Sequence, residues 1–274
     1  MNGLFGALDL HISIASEEMF RVFGFPISNA MVTGVLGTVI TVWILAYVSL
    51  SVKKGKYNRF VGLVQWVFEG LLNSIKDVIP NRELARKITP LAVTMFFFVL
   101  INYWLSVIPG LDTIRINGVP ILRSLASDLP FTLGLAIITV VVVQIYAIKH
   151  LGILGNIGRY LRNPFKDPLG AFEGALDIIG EVSRGTSLAL RLFGNAFAGE
   201  VLLIVIAVLT SFFASVALPI FMAFELLIGF IQAYVFFILT VIFTALAQEN
   251  HTQDTHSHSD HSPTVESKLV KQLE

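Results

Sequence analysis

Residues 187–200, Ser-Leu-Ala-Leu-Arg-Leu-Phe-Gly-Asn-Ala-Phe-Ala-Gly-Glu, decide the fold of this chain. The stretch is mostly apolar, and Arg191 lies within it. Because an arginine stays protonated in a protein, placing it at bilayer depth costs about 2.5 kcal/mol or more. A charge kept at that cost indicates a functional site within a membrane. The alternative is an arginine that extends from a helix end to the interface, but the apolar sequence continues beyond it without a basic residue.

The composition of the whole chain also indicates a membrane protein. Of its 274 residues, 55% are hydrophobic and only 14% are charged, whereas a soluble domain carries about 25% charged residues. Lysine and arginine together balance aspartate and glutamate, so the charge gives no indication of a nucleic-acid partner. The absence of cysteine excludes disulfides and thiol chemistry. The sequence has no phosphate-binding loop motif, so we expect no nucleotide site, and we expect no cofactor or metal.

Apolar runs separated by basic loops predict an all-α polytopic membrane protein with about five membrane-embedded helices. Residues 57–79 place apolar side chains at helical spacing among polar ones, which is typical of an amphipathic interfacial helix. We expect an extracytoplasmic segment at 1–28, a membrane domain at 29–248 whose last hairpin is 169–248, and a disordered polar tail at 249–274. The expected spans are 29–52, 88–108, 131–149, 171–213 and 219–248.

The basic residues predict how the chain crosses the membrane. Eight lie between the first two spans and four between the third and fourth, whereas the opposite loop holds two and the N-terminal segment one. The positive-inside rule therefore places the N terminus outside and the C terminus in the cytoplasm. We expect a polar loop after the third span, where Pro164 and Pro168 would stop a helix.

The last two helices are expected to be too long for upright spans. Residues 171–213 would form a helix about 65 Å long and residues 219–248 one of about 45 Å, against a hydrocarbon core of about 30 Å. The first of them contains no proline, so we expect steep inclination rather than a kink. Pro219 suits the first turn of the last helix. Two such helices would present an extended polar seam to a neighbouring protein.

Polar side chains share one face of the first of these two helices. On the last helix, Glu225 and Gln232 are seven residues apart and also share a face. Buried acids on separate faces of two packed helices suit two aqueous half-paths with a positive barrier between them. On a helical wheel centred on Arg191, the shared face holds Ser187, Arg184, Asp177, Asn195 and Glu181, whereas Glu200 lies opposite.

Simpler interpretations of these residues stay open. Glu181 and Arg184 are three residues apart and can form an ordinary ion pair. Glu200 and Glu225 can be protonated structural carboxyls that bond backbone carbonyls. Small residues on the same helix indicate close contact with a partner, although each one can equally pack inside the bundle. They are Gly180, Gly185, Ala189, Gly194, Ala198 and Gly199.

The stretch 187–200 closely resembles the signature of the a subunit of F-type ATP synthase, the membrane stator that faces the rotating c-ring. Residues 231–240, Ile-Gln-Ala-Tyr-Val-Phe-Phe-Ile-Leu-Thr, are similar to the last helix of that family. Weaker similarity occurs at residues 108–110, 127–129 and 164–165. The resemblance covers residues from about 25 to about 250 and implies a bacterial plasma-membrane subunit without a catalytic site of its own.

The resemblance also implies what individual residues do. Two proton half-channels would face the c-ring, and Arg191 matches the arginine that meets the c-ring carboxylate and prevents a short circuit. The implied partners are the c-ring, the b subunits of the peripheral stalk and the lipid bilayer. Polar positions of the outer half-channel are matched by Asn195, Glu200 and Gln232, and by Glu225, where some relatives carry histidine. The cytoplasmic half-channel would lie near Asp177, Glu181 and Ser187.

Two other classes of protein are alternatives to a stator. A self-sufficient secondary ion transporter would have inverted repeats and helices broken at mid-membrane, and we find no internal repeat. A purely structural assembly subunit would leave Arg191 without an explanation. The polar tail holds four of the six histidines and could bind a metal, but its composition favours a solvated segment.

Overall fold

The computed structural model describes residues 18–22, 25–108, 115–116, 119–120, 123–160, 168–210 and 214–249. Within these ranges the chain forms six α-helices, which confirms the expected all-α polytopic architecture. All but the second are long and apolar enough to cross a membrane. The helices are α1 (Asn29–Lys53), α2 (Arg59–Val78), α3 (Arg82–Val107), α4 (Leu129–Tyr160), α5 (Pro168–Thr210) and α6 (Ala214–Glu249).

Two short hairpins, which the sequence analysis did not predict, flank the first spans. β1 (Glu18–Val22) pairs antiparallel with β2 (Phe25–Ser28) directly before α1. β3 (Arg115–Ile116) pairs with β4 (Val119–Pro120) between α3 and α4. The predicted tail at 249–274 lies outside the described residues except for its first residue, as does most of the segment 1–28.

Polar side chains begin the first and third helices. Ser28 accepts a hydrogen bond from the backbone N–H of Met31 at 3.3 Å. The Oδ1 atom of Asn81 accepts from the N–H groups of Glu83 and Leu84 at 3.0 and 3.5 Å. Such caps satisfy amide groups that have no partner within the helix. The third helix therefore begins at Arg82, before the predicted start of its apolar span.

The second helix is amphipathic, as predicted. It buries Val61, Val64, Leu71 and Ile75 against the bundle and leaves Trp66 exposed on the other side. Of the six described helices it is the one that is not long and apolar enough to cross a membrane. Its location at the membrane interface stays a prediction.

The core of the bundle lies between α3 and α6. Phe96 and Tyr103 on α3 and Phe236 and Phe237 on α6 are fully buried. The ring of Phe96 meets that of Phe237 edge to face, with a centroid distance of 6.3 Å. Aromatic pairs of this kind contribute roughly 0.5–1.5 kcal/mol beyond the burial of their surface. This packing fixes α3 and α6 against each other and so positions the polar residues on α6.

The last two helices are long, as predicted, with 43 residues in α5 and 36 in α6. The predicted position of Pro219 in the first turn of α6 is wrong. The helix already begins at Ala214, because the five apolar or small residues before the proline are helical as well. The proline therefore lies in the helix interior, where it cannot donate a backbone hydrogen bond. The steep inclination of both helices stays a prediction.

The polar loop expected directly after the third span is also wrong in part. α4 continues through Tyr160, with a break at Gly152, whose φ is +76°. Only glycine adopts such a backbone conformation without strain, so the chain changes direction there and then resumes a helix. The prediction relied on the basic residues and on Pro164 and Pro168. α4 includes Arg159, and Pro168 is the first residue of α5.

Candidate functional site

Glu225 is a carboxyl group buried in the centre of the bundle, with 4% of its surface exposed. Its Oε1 atom accepts a hydrogen bond from the hydroxyl of Tyr103 on α3, at 2.6 Å. On the other side, a Cβ atom built on Gly199 of α5 would overlap the carboxylate. The backbone of α5 thus lies directly against Glu225, at a point where only glycine leaves room.

A second polar contact joins α5 to α6. The amide of Asn195 donates from Nδ2 to Oε1 of Gln232 at 2.8 Å. Gln232 is 2% exposed, and its own Nε2 atom has no hydrogen-bond partner among the described residues. This hydrogen bond therefore fixes the orientation of the Asn195 amide. The NH₂ group of Gln232 stays an unused donor within the bundle.

Glu200 follows Gly199 directly and is half-buried. Its Oε2 atom is buried and has no hydrogen-bond partner within the part of the chain that the structure describes. A buried polar atom without a partner costs about 1–3 kcal/mol, so such atoms are rare and call for an explanation. Glu225 and Gln232 of α6 therefore lie beside Gly199 and Asn195 of α5, and Glu200 follows Gly199 in the chain.

Arg191 lies on a different side of α5. Its side chain is exposed and lines an open groove of about 810 Å³. Among the described residues nothing forms a hydrogen bond, an ion pair or a ring contact with Arg191. An unpaired arginine on an apolar span requires a counter-charge, and this chain does not supply one in its described part. The rest of the groove is formed by Ile178, Ile179, Val182, Ser183, Thr186, Ser187 and Leu190.

The small residues of α5 divide between the two sides of the helix. Gly185, Ala189 and Gly199 are buried, and Gly185 lies against Val140 of α4. For these three, packing inside the bundle is the correct interpretation. Gly194 and Ala198 are exposed beside Arg191, and their small size leaves room for another helix to approach α5 closely. This exposed part of α5 is open to a partner helix.

The remaining predicted residues lie further towards the start of α5. Asp177 and Glu181 are half-buried, and Asp177 is about 21 Å along the helix from Arg191. Arg184 packs its guanidinium over the ring of Phe243 on α6, 5.6 Å from the ring centre. The structure therefore brings Asn195 to Gln232 and brings Glu225 to the backbone beside Glu200. It places Ser187 with Arg191, and Asp177 and Glu181 lie further towards the start of α5.

Sequence reasoning missed the contribution of α3. Besides the hydroxyl of Tyr103, the indole of Trp104 donates to the backbone carbonyl of Leu226 at 2.9 Å. A tyrosine in an apolar span was a usable signal, because a buried hydroxyl almost always bonds an acceptor. Its partner, however, lies 122 residues away in the sequence.

Comparison with known proteins points to a single family. The family model described as ATP synthase A chain matches residues 31–245. ATP synthase subunit a of Aeromonas salmonicida is 30% identical over 230 residues, which cover 81% of this chain and 88% of that protein. ATP synthase subunit a of Mycobacterium bovis is 34% identical over 193 residues, or 69% of this chain and 75% of that protein. The Mycobacterium leprae protein of the same name is 35% identical over 176 residues, or 64% and 67%.

Proposed function

The chain belongs to the ATP synthase A chain family, and from this premise we propose that it forms two proton half-channels against the c-ring, with Arg191 between them. It is a multi-pass inner-membrane subunit of ATP synthase, with a stator role in proton translocation and with the c-ring as its working partner. The b subunits of the peripheral stalk are a further expected partner, which rests on the family resemblance alone.

The observation that carries the proposal is the position of Arg191 in an exposed groove. Its charge is permanent, and the groove around it offers only apolar and hydroxyl side chains. A carboxylate on a passing partner helix would supply the missing counter-charge and would lose its proton on approach. When that carboxylate moves on, the fixed positive charge disfavours passage of a hydronium ion between the two half-channels.

The outer half-channel is assigned to the polar groups between α5 and α6. Glu225 and Glu200 can each bind and release a proton. Along α5, the Asn195–Gln232 pair lies between the level of Arg191 and that of Gly199, which contacts Glu225. With the N terminus outside, α5 ends and α6 begins on the outer side of the membrane. The contact of Glu225 with Gly199 supports this assignment, because it places both acids at one depth.

The cytoplasmic half-channel is assigned to the first half of α5. In the same orientation α5 begins at the cytoplasmic side, so that Asp177 and Glu181 precede Ser187 and Arg191 on the way into the membrane. The hydroxyl of Ser187 lines the groove next to the arginine. A proton released from the ring would leave along this face.

A self-sufficient transporter is less compatible with the helices. That class of protein binds its ion where helices are broken at mid-membrane, whereas α5 is a single helix of 43 residues. Reconstitution of the subunit alone separates the two functions, since a transporter moves ions by itself and a stator requires its ring.

The experiment that tests the proposal is Arg191→Ala in the assembled complex in inverted vesicles. We expect ATP-driven acidification to fall roughly 100-fold or more, because a fixed charge at the transfer point is lost, while passive proton leak rises. Arg184→Ala is the matched control, since it removes an arginine of the same helix that already has a partner in Phe243. Normal pumping by Arg191→Ala with the complex intact would contradict the proposal.

A further inference from the structure

Tyr103 is the largest polar side chain buried completely in the described part of the bundle, with 0% of its surface exposed. Its hydroxyl donates to Oε1 of Glu225 at 2.6 Å, which is at the short end of the range for O–H···O hydrogen bonds. The phenol therefore fixes one oxygen of the only buried carboxyl group of α6 that the structure describes.

The packing around this hydrogen bond leaves little freedom to either partner. A Cβ atom on Gly229 of α6 would overlap the ring of Tyr103, and one on Gly199 of α5 would overlap the carboxylate of Glu225. The indole of Trp104 donates to the carbonyl of Leu226 at 2.9 Å and so fixes α3 along α6. Two glycines and one indole thus give the tyrosine and the glutamate a single relative position.

We propose that Tyr103 is a positioning residue for proton transfer by Glu225. Its hydroxyl holds Oε1, so that the proton is gained and lost at Oε2, and the carboxyl group points in one direction in both states. The tyrosine keeps its own proton throughout: a proton that arrives bonds to Oε2 and a proton that departs leaves from Oε2. This inference rests on the proposed place of Glu225 in the outer half-channel.

The test compares Tyr103→Phe with Tyr146→Phe in the assembled complex. Tyr146 is a matched control, because its hydroxyl also joins two helices, donating to the carbonyl of Lys87 at 2.9 Å, but away from the acids. We expect Tyr103→Phe to lower ATP-driven proton pumping per assembled complex about ten-fold, and Tyr146→Phe to lower it less than two-fold. Equal rates in the two variants would overturn the proposal. So would a loss of assembled subunit in Tyr103→Phe without a change in rate per complex.

A double-mutant cycle separates positioning from general stability. In Glu225→Asp the carboxyl group is retained but withdrawn by one methylene from the phenol, so Tyr103→Phe should lower the remaining rate less than two-fold in that background. A tyrosine that acts only through the fold would instead multiply the two losses.

Glu225→Gln distinguishes failure of this inference from failure of the proposed function. If Glu225→Gln pumps normally, Glu225 is not in the half-channel and both ideas are wrong. If Glu225→Gln fails to pump while Tyr103→Phe pumps normally, only the role of Tyr103 is wrong.

Discussion

The two sides of α5 differ in how far their polar groups find partners within this chain. The side that faces α6 has partners within the subunit: Asn195 bonds Gln232, and Gly199 accommodates Glu225. On the exposed side, Arg191 and Ser187 line an open groove and the arginine has no partner among the described residues. One side of α5 thus makes its contacts within the subunit, whereas the other side requires another protein. This difference underlies our proposal that the groups between α5 and α6 pass protons and that Arg191 meets the rotor.

On the side of α5 that faces α6, the largest expected effect comes from Gly199→Ala. The added methyl group would overlap the carboxylate of Glu225, so either the acid or the helix has to move. Overpacking of this kind costs about 1–3 kcal/mol, and we expect proton pumping per assembled complex to fall roughly 5- to 100-fold.

Gly62→Ala is the control for that substitution. Gly62 lies within α2, and a Cβ atom there would meet nothing within 4 Å. The variant should pump normally. If Gly199→Ala also pumps at the normal rate, the role of Glu225 in pumping does not depend on the close approach of α5. The side of α5 that faces α6 is then less constrained than we conclude.

A smaller effect is expected for Gln232→Leu. The substitution removes the acceptor of the Asn195 amide and one buried amide from the space between α5 and α6. Since Asn195 is exposed and can bond elsewhere, we expect a loss of about 0.5–1.5 kcal/mol, or a two- to ten-fold lower pumping rate.

Asn102→Leu serves as the comparison for Gln232→Leu. Asn102 is also 2% exposed, but its amide bonds the carbonyl of Phe98 in its own helix and its side chain faces Gly37 of α1. Pumping rates per assembled complex that fall equally in both variants would mean that the amide of Gln232 has no specific role between the helices.

The sequence allowed the helices to be predicted better than their contacts. Hydrophobic periodicity and length depend on neighbouring residues, and they predicted the amphipathic α2 and the 43-residue α5. Pro219 misled because proline is common in the first turn of a helix and lies here inside one. The basic residues after the third span misled because they indicated a loop, whereas α4 continues through Tyr160. The contact of Tyr103 with Glu225 joins residues 122 positions apart, and no local pattern records it.

The same limit applied to the small residues of α5. Their positions in the predicted helix did not identify the neighbour of each one. Only the fold separates the buried Gly185 and Ala189 from the exposed Gly194 and Ala198. Arg191 differs, because the physical cost of its charge indicated a functional residue before any contact was known. Its expected partner, the c-ring, came from the family resemblance.

The most direct test of the difference between the two sides is cross-linking from two alanines of α5. Ala198 is exposed and Ala196 is 4% exposed, and the chain has no cysteine of its own. Ala198→Cys and Ala196→Cys would each be treated, in the assembled complex, with a short reagent that is thiol-reactive at one end and photoactivatable at the other. We predict a cross-link to the c subunit from position 198 and none from position 196. A cross-link from 196 alone, or no link to the ring from 198, would contradict the proposal that the exposed side of α5 meets the rotor.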